Sequence, residues 1–157
     1  MNRPQAIHAL LAATDQAITA LEAQLAETQR HAGAAPSAME SHSDTTRSQL
    51  QAVVINTRSA LDGKRRMRAG IAGAVASADT SVRPGSLVTI TDPTHGPLTY
   101  LVLDAGGGVE TTVDGERVFV LGSATPLAKL LIGHQAGTTL MFRQATAERT
   151  LTIQTIA

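Results

Sequence analysis

The sequence predicts an α+β protein, with an N-terminal antiparallel helical hairpin (a coiled coil) followed by a small antiparallel β domain that carries one short helix. Two observations predict this class. Apolar residues in the first half recur with the period of a helix, whereas in the second half they alternate with a period of two. Between these halves, the stretch "SADTSVRPG" at 77–85 is polar and contains Pro and Gly, which are typical of a linker. We therefore predict domains at 1–78 and 79–157.

The first helix is predicted from Pro4 to about His31. Asn2 is a suitable N-cap, and proline is favoured in the first turn of a helix. Gly33 and Pro36 end the periodic pattern. Its apolar stripe comprises Ile7, Leu10, Leu11, Ile18, Leu21 and Leu25.

The second helix follows the polar stretch "SAMESHSDTTRSQ" at 37–49, and Ser43 or Asp44 can cap its N-terminus. We place the tip loop of the hairpin at about 33–44. Two apolar stripes joined by a short polar connection predict an antiparallel pair of helices. Because the two stripes can cover each other, we expect a monomer rather than an oligomeric coiled coil, which is the alternative. The second stripe comprises Leu50, Val53, Val54, Leu61, Met67, Ile71 and Val75.

The second half predicts strands separated by glycine-rich turns. Turns are expected at 105–108 ("AGGG") and 113–116 ("VDGE"). One short helix is expected, with Thr125 as its N-cap, Pro126 as its first residue and Gly133 as its end. The strands are expected at 86–92, 97–104, 116–122, 139–143 and 149–156.

The composition excludes several classes of protein. Lys and Arg total 13 and are balanced by 13 Asp and Glu, so no net charge attracts nucleic acid or an anionic membrane. The chain lacks cysteine, which excludes disulfides and thiolate metal sites and fits a reducing compartment. No apolar run approaches the roughly 20 residues that span a bilayer, and the N-terminus has no apolar signal segment. We expect a cytoplasmic protein that binds no membrane.

The segment "VFVLGSATPLAKLLIGHQAGTTLMF" at 118–142 resembles the C-terminal domain of the Gre family of bacterial transcript-cleavage factors. That family has a strand, a Ser-Pro-Leu helix opening, an Ala-Leu-Leu-Gly-Lys helix end, a Gly-Asp pair and another strand. The stretch "VRPGSLVTI" at 82–90 is similar to the first strand of the family domain, and "RTLTIQTIA" at 149–157 is similar to its last. With the N-terminal hairpin, the resemblance covers nearly the whole chain.

The resemblance implies a transcription elongation factor whose second domain has an FKBP-like fold. Its hairpin would enter the secondary channel of bacterial RNA polymerase and stimulate the cleavage of backtracked RNA. The polymerase carries out that cleavage, so the chain would be an accessory factor and not an enzyme. One alternative is a cleavage-inactive factor that occupies the channel and modulates or inhibits transcription. Another is an FKBP-like peptidyl-prolyl isomerase or chaperone module, against which the scarcity of aromatic residues argues: Tyr100, Phe119 and Phe142.

In the Gre family, two acidic residues at the hairpin tip help to hold a second Mg²⁺. By approximate alignment, Glu40 occupies the position of the first acid. The second acidic position falls on Ser43, and Asp44 lies one residue beyond it. The resemblance thus implies that Glu40 and Asp44 are accessory catalytic acids and ligands of a Mg²⁺ shared with the polymerase, while the chain alone binds no cofactor. The alternative is that Asp44 caps a helix and Glu40 is only solvated.

The run "KRRMR" at 64–68 is the densest positive stretch of the chain. One interpretation of Lys64, Arg65, Arg66 and Arg68 is a contact with nascent RNA or with an acidic surface of the polymerase. The alternative is a solvated helix face. Lys129, on the short helix, is expected to face solvent, where it can contact the polymerase.

Overall fold

The computed structural model describes residues 2–34, 41–74, 80–93, 96–144 and 147–157. Two long helices precede a six-stranded sheet that is interrupted by one short helix, which confirms the predicted α+β class. No helix in these ranges is both long and apolar enough to cross a membrane. The elements are α1 (Arg3–Ala34), α2 (Ser41–Ala72), β1 (Leu87–Asp92), β2 (Gly96–Leu103), β3 (Glu110–Val113), β4 (Glu116–Gly122), α3 (Pro126–Leu131), β5 (Thr139–Gln144) and β6 (Ala147–Ile156).

Packing divides the chain into two compact units. The first unit contains Met1–Thr14 and Arg66–Ala157, and the second contains Asp15–Arg65. The sheet unit thus includes the beginning of α1 and the end of α2. The predicted boundary between 78 and 79 lies outside the described residues.

In the second unit, α1 and α2 run antiparallel. Arg65 of α2 bonds Glu22 of α1 at 2.8 Å, and Leu61 and Leu25 line the same groove between the helices. Helical pairs of this kind bury residues spaced alternately by three and four positions.

The buried stripe of α2 differs from the predicted one. Val53 is 40% exposed, whereas Thr57 is only 6% exposed. The spacing of Leu50, Val54, Thr57 and Leu61 is four, three and four, so the helical seam passes through Thr57 and leaves Val53 beside it. The prediction followed hydrophobicity alone and therefore missed a threonine in the seam.

The helix ends near the tip also differ from the prediction. α1 continues to Ala34, and α2 already begins at Ser41. Ser43 and Asp44 therefore lie within the first turn of α2 and do not cap it. Acidic residues are favoured both at the N-cap and within the first turn of a helix. The position of Asp44 was therefore compatible with more than one first residue for α2. Val75, predicted in the second stripe, lies outside the described residues.

The strand order in the sheet is β3-β4-β2-β1-β6-β5. Neighbouring strands are antiparallel, as predicted, except that β2 and β4 are parallel. The parallel pair arises from β3, a short strand that the prediction missed. β3 forms a hairpin with β4 through Asp114 and Gly115, which have φ values of 51° and 81°, so β4 returns beside β2 in the same direction.

Each face of the sheet has its own apolar core within the first unit. One face packs against residues at the beginning of α1 and the end of α2, including Leu10, Met67 and Ile71. The other face packs against α3 through Leu127 and Leu131. The sheet is thereby held between two helical layers.

The short helix α3 forms as predicted. The Thr125 hydroxyl accepts a hydrogen bond from the Ala128 amide at 3.3 Å, and Pro126 follows the cap. Gly133, with φ of 88°, adopts the left-handed conformation that ends the helix.

Candidate functional site

The predicted acidic pair lies at the connection between α1 and α2. Glu40 is outside the described residues. Asp44 lies in the first turn of α2, and its side chain is outside the described part of the structure. The proposed sharing of Mg²⁺ by Glu40 and Asp44 therefore stays a prediction. Within the described ranges, no group of three or more His, Asp or Glu side chains is placed to hold a metal.

The basic run of α2 has several environments rather than one. Lys64 and Arg65 belong to the second unit, where Arg65 bonds Glu22 and Lys64 is half-buried. Arg66 and Arg68 belong to the first unit and are exposed. The three arginines of the run are thus exposed to solvent, and Arg65 is also paired across the hairpin.

Lys129 lies on α3 and is exposed, as predicted. Leu127 and Leu131 of the same helix pack on the sheet, so the helix presents Lys129 away from the core. This cation is available to a partner of the first unit.

A groove of about 600 Å³ lies in the first unit, between the end of α2, the turn before β1 and the end of β2. We call it the Arg66–Arg83 groove, after its two basic residues. Among the described residues of its lining, Asp104 is the acidic one. Arg66 was predicted as a basic contact from the sequence, whereas Arg83 and Asp104 were missed, because the three residues are distant in the chain and only the fold brings them together. The other described residues of the lining are Gly70, Gly73, Ala74, Pro84, Gly85, Leu103 and Ala105.

The turn that carries Arg83 is fixed by its sequence. The Ser86 amide donates to the Arg83 carbonyl at 3.0 Å, closing a β-turn with Pro84 and Gly85 at its centre. Gly85 has φ of 95°, the conformation that the third position of a type II turn requires. The Arg3 guanidinium donates to the Gly85 carbonyl at 2.7 Å, and the Gly85 amide donates to the Val102 carbonyl at 2.7 Å. The Arg83 backbone is therefore held in place.

The opposite wall of the groove is equally constrained. The Ser123 hydroxyl donates to the Asp104 carbonyl at 2.9 Å, and the Ser123 amide donates to the Leu103 carbonyl at 2.7 Å. On α2, Met67 follows Arg66 and is buried against the turn at Gly106 and Gly107. Hydrogen bonds of Ser123 and the burial of Met67 thus hold the backbone on this side of the groove.

A second, smaller cavity of about 200 Å³ lies between α3 and the sheet. It is lined mainly by apolar side chains, with Tyr100 and Phe142 among them. Its polar edge is Asp92, 3% exposed, which pairs with Arg149 at 3.4 Å. Burial raises the pKa of Tyr100 above the ordinary value of tyrosine, and the charge of Asp92 raises it further, while Arg117 acts in the opposite direction. The neutral phenol is therefore favoured in this cavity.

Comparison with known proteins finds similar solved structures of a GreA-like factor. The crystal structure of Thermus aquaticus Gfh1 has 16% identity and a TM-score of 0.38, with 91% of this chain and 90% of that chain covered. The crystal structure of GreA factor homolog 1 (Gfh1) of Thermus thermophilus has 17% identity and a TM-score of 0.36, with 94% of each chain covered. A structure described as the transcription factor Gfh1 has 17% identity and a TM-score of 0.37, covering 94% of this chain and 93% of that chain. No family model matches the chain, and no curated protein matches it significantly.

Proposed function

We propose that this chain is a transcription elongation factor that binds bacterial RNA polymerase, inserts its hairpin tip into the secondary channel and stimulates cleavage of backtracked RNA. The observation that carries the proposal is the helical hairpin, in which only residues 35–40 separate α1 from α2. The resemblance of residues 118–142 to the Gre family supports it, because the segment folds as the strand, capped helix and strand that the motif requires.

The dimensions of the hairpin are suitable for insertion into a narrow channel. The part of α1 in the second unit, residues 15–34, is roughly 30 Å long at 1.5 Å per residue. Two packed helices, each about 10 Å across, form a narrow rod. Glu40 belongs to the connection and Asp44 to the first turn that follows, so both acids belong to the tip by sequence.

The chemistry of the tip requires carboxylates because Mg²⁺ prefers hard oxygen ligands. A second Mg²⁺ in a phosphodiester-cleaving site stabilises the attacking and leaving oxygens. In this proposal, Glu40 and Asp44 share that ion with the polymerase, which supplies the remaining active-site groups. The chain is then an accessory factor, active as a monomer in the cytoplasm.

The basic residues form the second part of the proposal. Lys64, Arg65, Arg66 and Arg68 contact nascent RNA or an acidic surface of the polymerase, and Lys129 contacts the polymerase from α3. Contacts of this kind weaken as salt concentration rises.

The test is a cleavage assay on stalled, backtracked elongation complexes. Addition of the chain should shorten the RNA faster than the polymerase does alone. Glu40→Ala and Asp44→Ala should each reduce this stimulation and leave polymerase binding nearly unchanged. Glu27→Ala, which removes an exposed acid elsewhere on α1, is the matched control and should retain stimulation. If the variant that combines Glu40→Ala and Asp44→Ala still stimulates cleavage fully, neither acid takes part in the mechanism.

The alternative is a channel-binding modulator without cleavage activity. The observation that favours it is the spacing of the acids, since Asp44 lies four residues after Glu40 whereas the family pattern has three. The same assay decides between the two functions: polymerase binding with unchanged or slowed cleavage supports the modulator.

A second candidate function is a peptidyl-prolyl isomerase or chaperone module. The cavity beneath α3 favours it, because two of the chain's few aromatic residues, Tyr100 and Phe142, line one apolar pocket. A proline-containing peptide assay tests this function. The chain should accelerate cis-trans isomerisation of the peptide, and Phe142→Ala should abolish this acceleration. If the chain gives no acceleration at micromolar concentration, the isomerase function is excluded.

A further inference from the structure

We propose that the Arg66–Arg83 groove binds a phosphate ester of nucleotide size, with its phosphate on the two arginines and its sugar or base on Asp104. The volume of about 600 Å³ lies within the range of small-ligand sites. The described lining residues belong to the first unit and exclude the hairpin tip, and the groove shares only Arg66 with the basic contacts proposed above.

The charges in the lining select the anionic end of the ligand. Among the described residues of the lining, Arg66 and Arg83 carry guanidinium groups and Asp104 carries a carboxylate. Guanidinium groups bind phosphate through paired, charge-assisted hydrogen bonds. Both arginines are exposed, so a ligand reaches them without displacing core residues.

The other end of the ligand must donate hydrogen bonds. Gly70 lies in the last turn of α2 and Gly73 directly follows the helix, so the negative end of the helix dipole lies at this part of the groove. The Asp104 carboxylate is also an acceptor. A purely anionic ligand is therefore repelled on this side, whereas ribose hydroxyls or base amino groups are bound. This selects a nucleotide over inorganic phosphate or an acidic peptide.

The walls of the groove are pre-organised for binding. Arg3 and Val102 hold the turn at Gly85, and Ser123 holds the backbone at Asp104. Glycine and alanine contribute most of the remaining lining, so backbone rather than flexible side chains borders the space. A ligand then meets backbone that is already ordered, which limits the entropic cost of binding.

The experiment is a titration of the ¹⁵N-labelled full chain with uridine 5′-monophosphate, followed by NMR. Amide shifts should concentrate at Gly70, Gly85 and Ala105. Arg66→Gln and Arg83→Gln should each weaken binding by about tenfold, since each removes charge-assisted hydrogen bonds. Arg143→Gln makes the same charge change at an exposed position of β5 and should bind as the parent does.

Two further titrants identify the ligand chemistry. Inorganic phosphate and a hexaglutamate peptide should each bind at least about tenfold more weakly than the nucleotide. Asp104→Asn should bind nucleotide with a smaller preference over inorganic phosphate than the parent does. The ¹H–¹⁵N amide spectrum of this variant shows whether its fold is retained. Equal or tighter binding of either titrant would overturn the proposal. So would an absence of groove shifts at 10 mM nucleotide, or binding that neither arginine variant weakens.

Discussion

The Met67 sulfur atom accepts a hydrogen bond from the Gly107 backbone amide, with 3.4 Å between Sδ and N. A Cβ atom on the preceding Gly106 would lie 2.8 Å from Met67 Cγ, closer than packed carbons approach. The glycine-rich turn after β2 therefore closes directly onto the α2 side chain. This contact connects the end of the second helix to the sheet core within the first unit.

Replacing Met67 by alanine is expected to destabilise the protein by about 2–5 kcal/mol, because the side chain is only 2% exposed and its removal leaves a cavity. Met67→Leu preserves most of the volume and is expected to lose less than about 1.5 kcal/mol. Urea unfolding followed by circular dichroism measures both. Met141→Ala is the matched control, since Met141 is 62% exposed and its truncation should change stability by less than about 0.5 kcal/mol. Equal losses at the two positions would contradict the burial argument.

Replacement of glycine by alanine should raise the free energy of unfolding at Gly63 and lower it at Gly122. A Cβ on Gly63, inside α2, has no atom within 4 Å, so Gly63→Ala is expected to stabilise the helix by about 0.5–1 kcal/mol. A Cβ on Gly122 would lie 2.4 Å from the Gly106 carbonyl oxygen, so Gly122→Ala is expected to destabilise by about 1–3 kcal/mol. Thermal melting of both variants tests the pair. A stabilised Gly122→Ala would show that the turn at Gly106 moves without cost.

Arg3 connects three segments of the first unit through backbone carbonyls. Its guanidinium donates to Ala157 at 2.5 Å, to Gly85 at 2.7 Å and to Ala74 at 3.1 Å, and burial lowers its pKa. Arg3→Met keeps much of the apolar stem but removes these donors, and is expected to destabilise by about 1–3 kcal/mol. Amide hydrogen exchange should rise at Leu87 and Ala157, which bond each other. Unchanged exchange at both amides would show that Arg3 does not secure the chain ends.

The fold class was predictable because helix and strand periods differ strongly between the two halves. The cap of α3 was predictable for a local reason, since Thr125 and Pro126 are adjacent in the chain. β3 was not, because it has four residues and its position depends on pairing with β4. Thr57 was missed since a polar residue in a helical seam has no apolar signal.

In the candidate site, too, one local sequence feature was predictable, whereas contacts between residues distant in the chain were not. Arg66 was visible in the basic run, whereas the type II turn at "RPGS" was not predicted, because 77–85 was interpreted as a linker. Nothing local connects that turn with Arg66 or with Asp104. Their common groove arises only when the first unit brings α2, the turn and the end of β2 together. Sequence patterns therefore predicted Arg66 but neither Arg83 nor Asp104, nor the groove that the three residues share.

The last prediction concerns Tyr100, the chain's one tyrosine, whose ionisation can be followed by phenolate absorbance without interference. Burial raises its pKa in the folded protein, so the folded state retains the phenol proton at a pH where the unfolded chain has lost it. The associated stabilisation is fully present below the unfolded value of about 10, and declines as the pH rises through the folded pKa. Titration in buffer should therefore show a midpoint above that in concentrated urea. Tyr100→Phe, which has no ionisable group here, should lose less stability between pH 9 and pH 11 than the parent. Coincident midpoints in buffer and urea would show that the phenol is solvated.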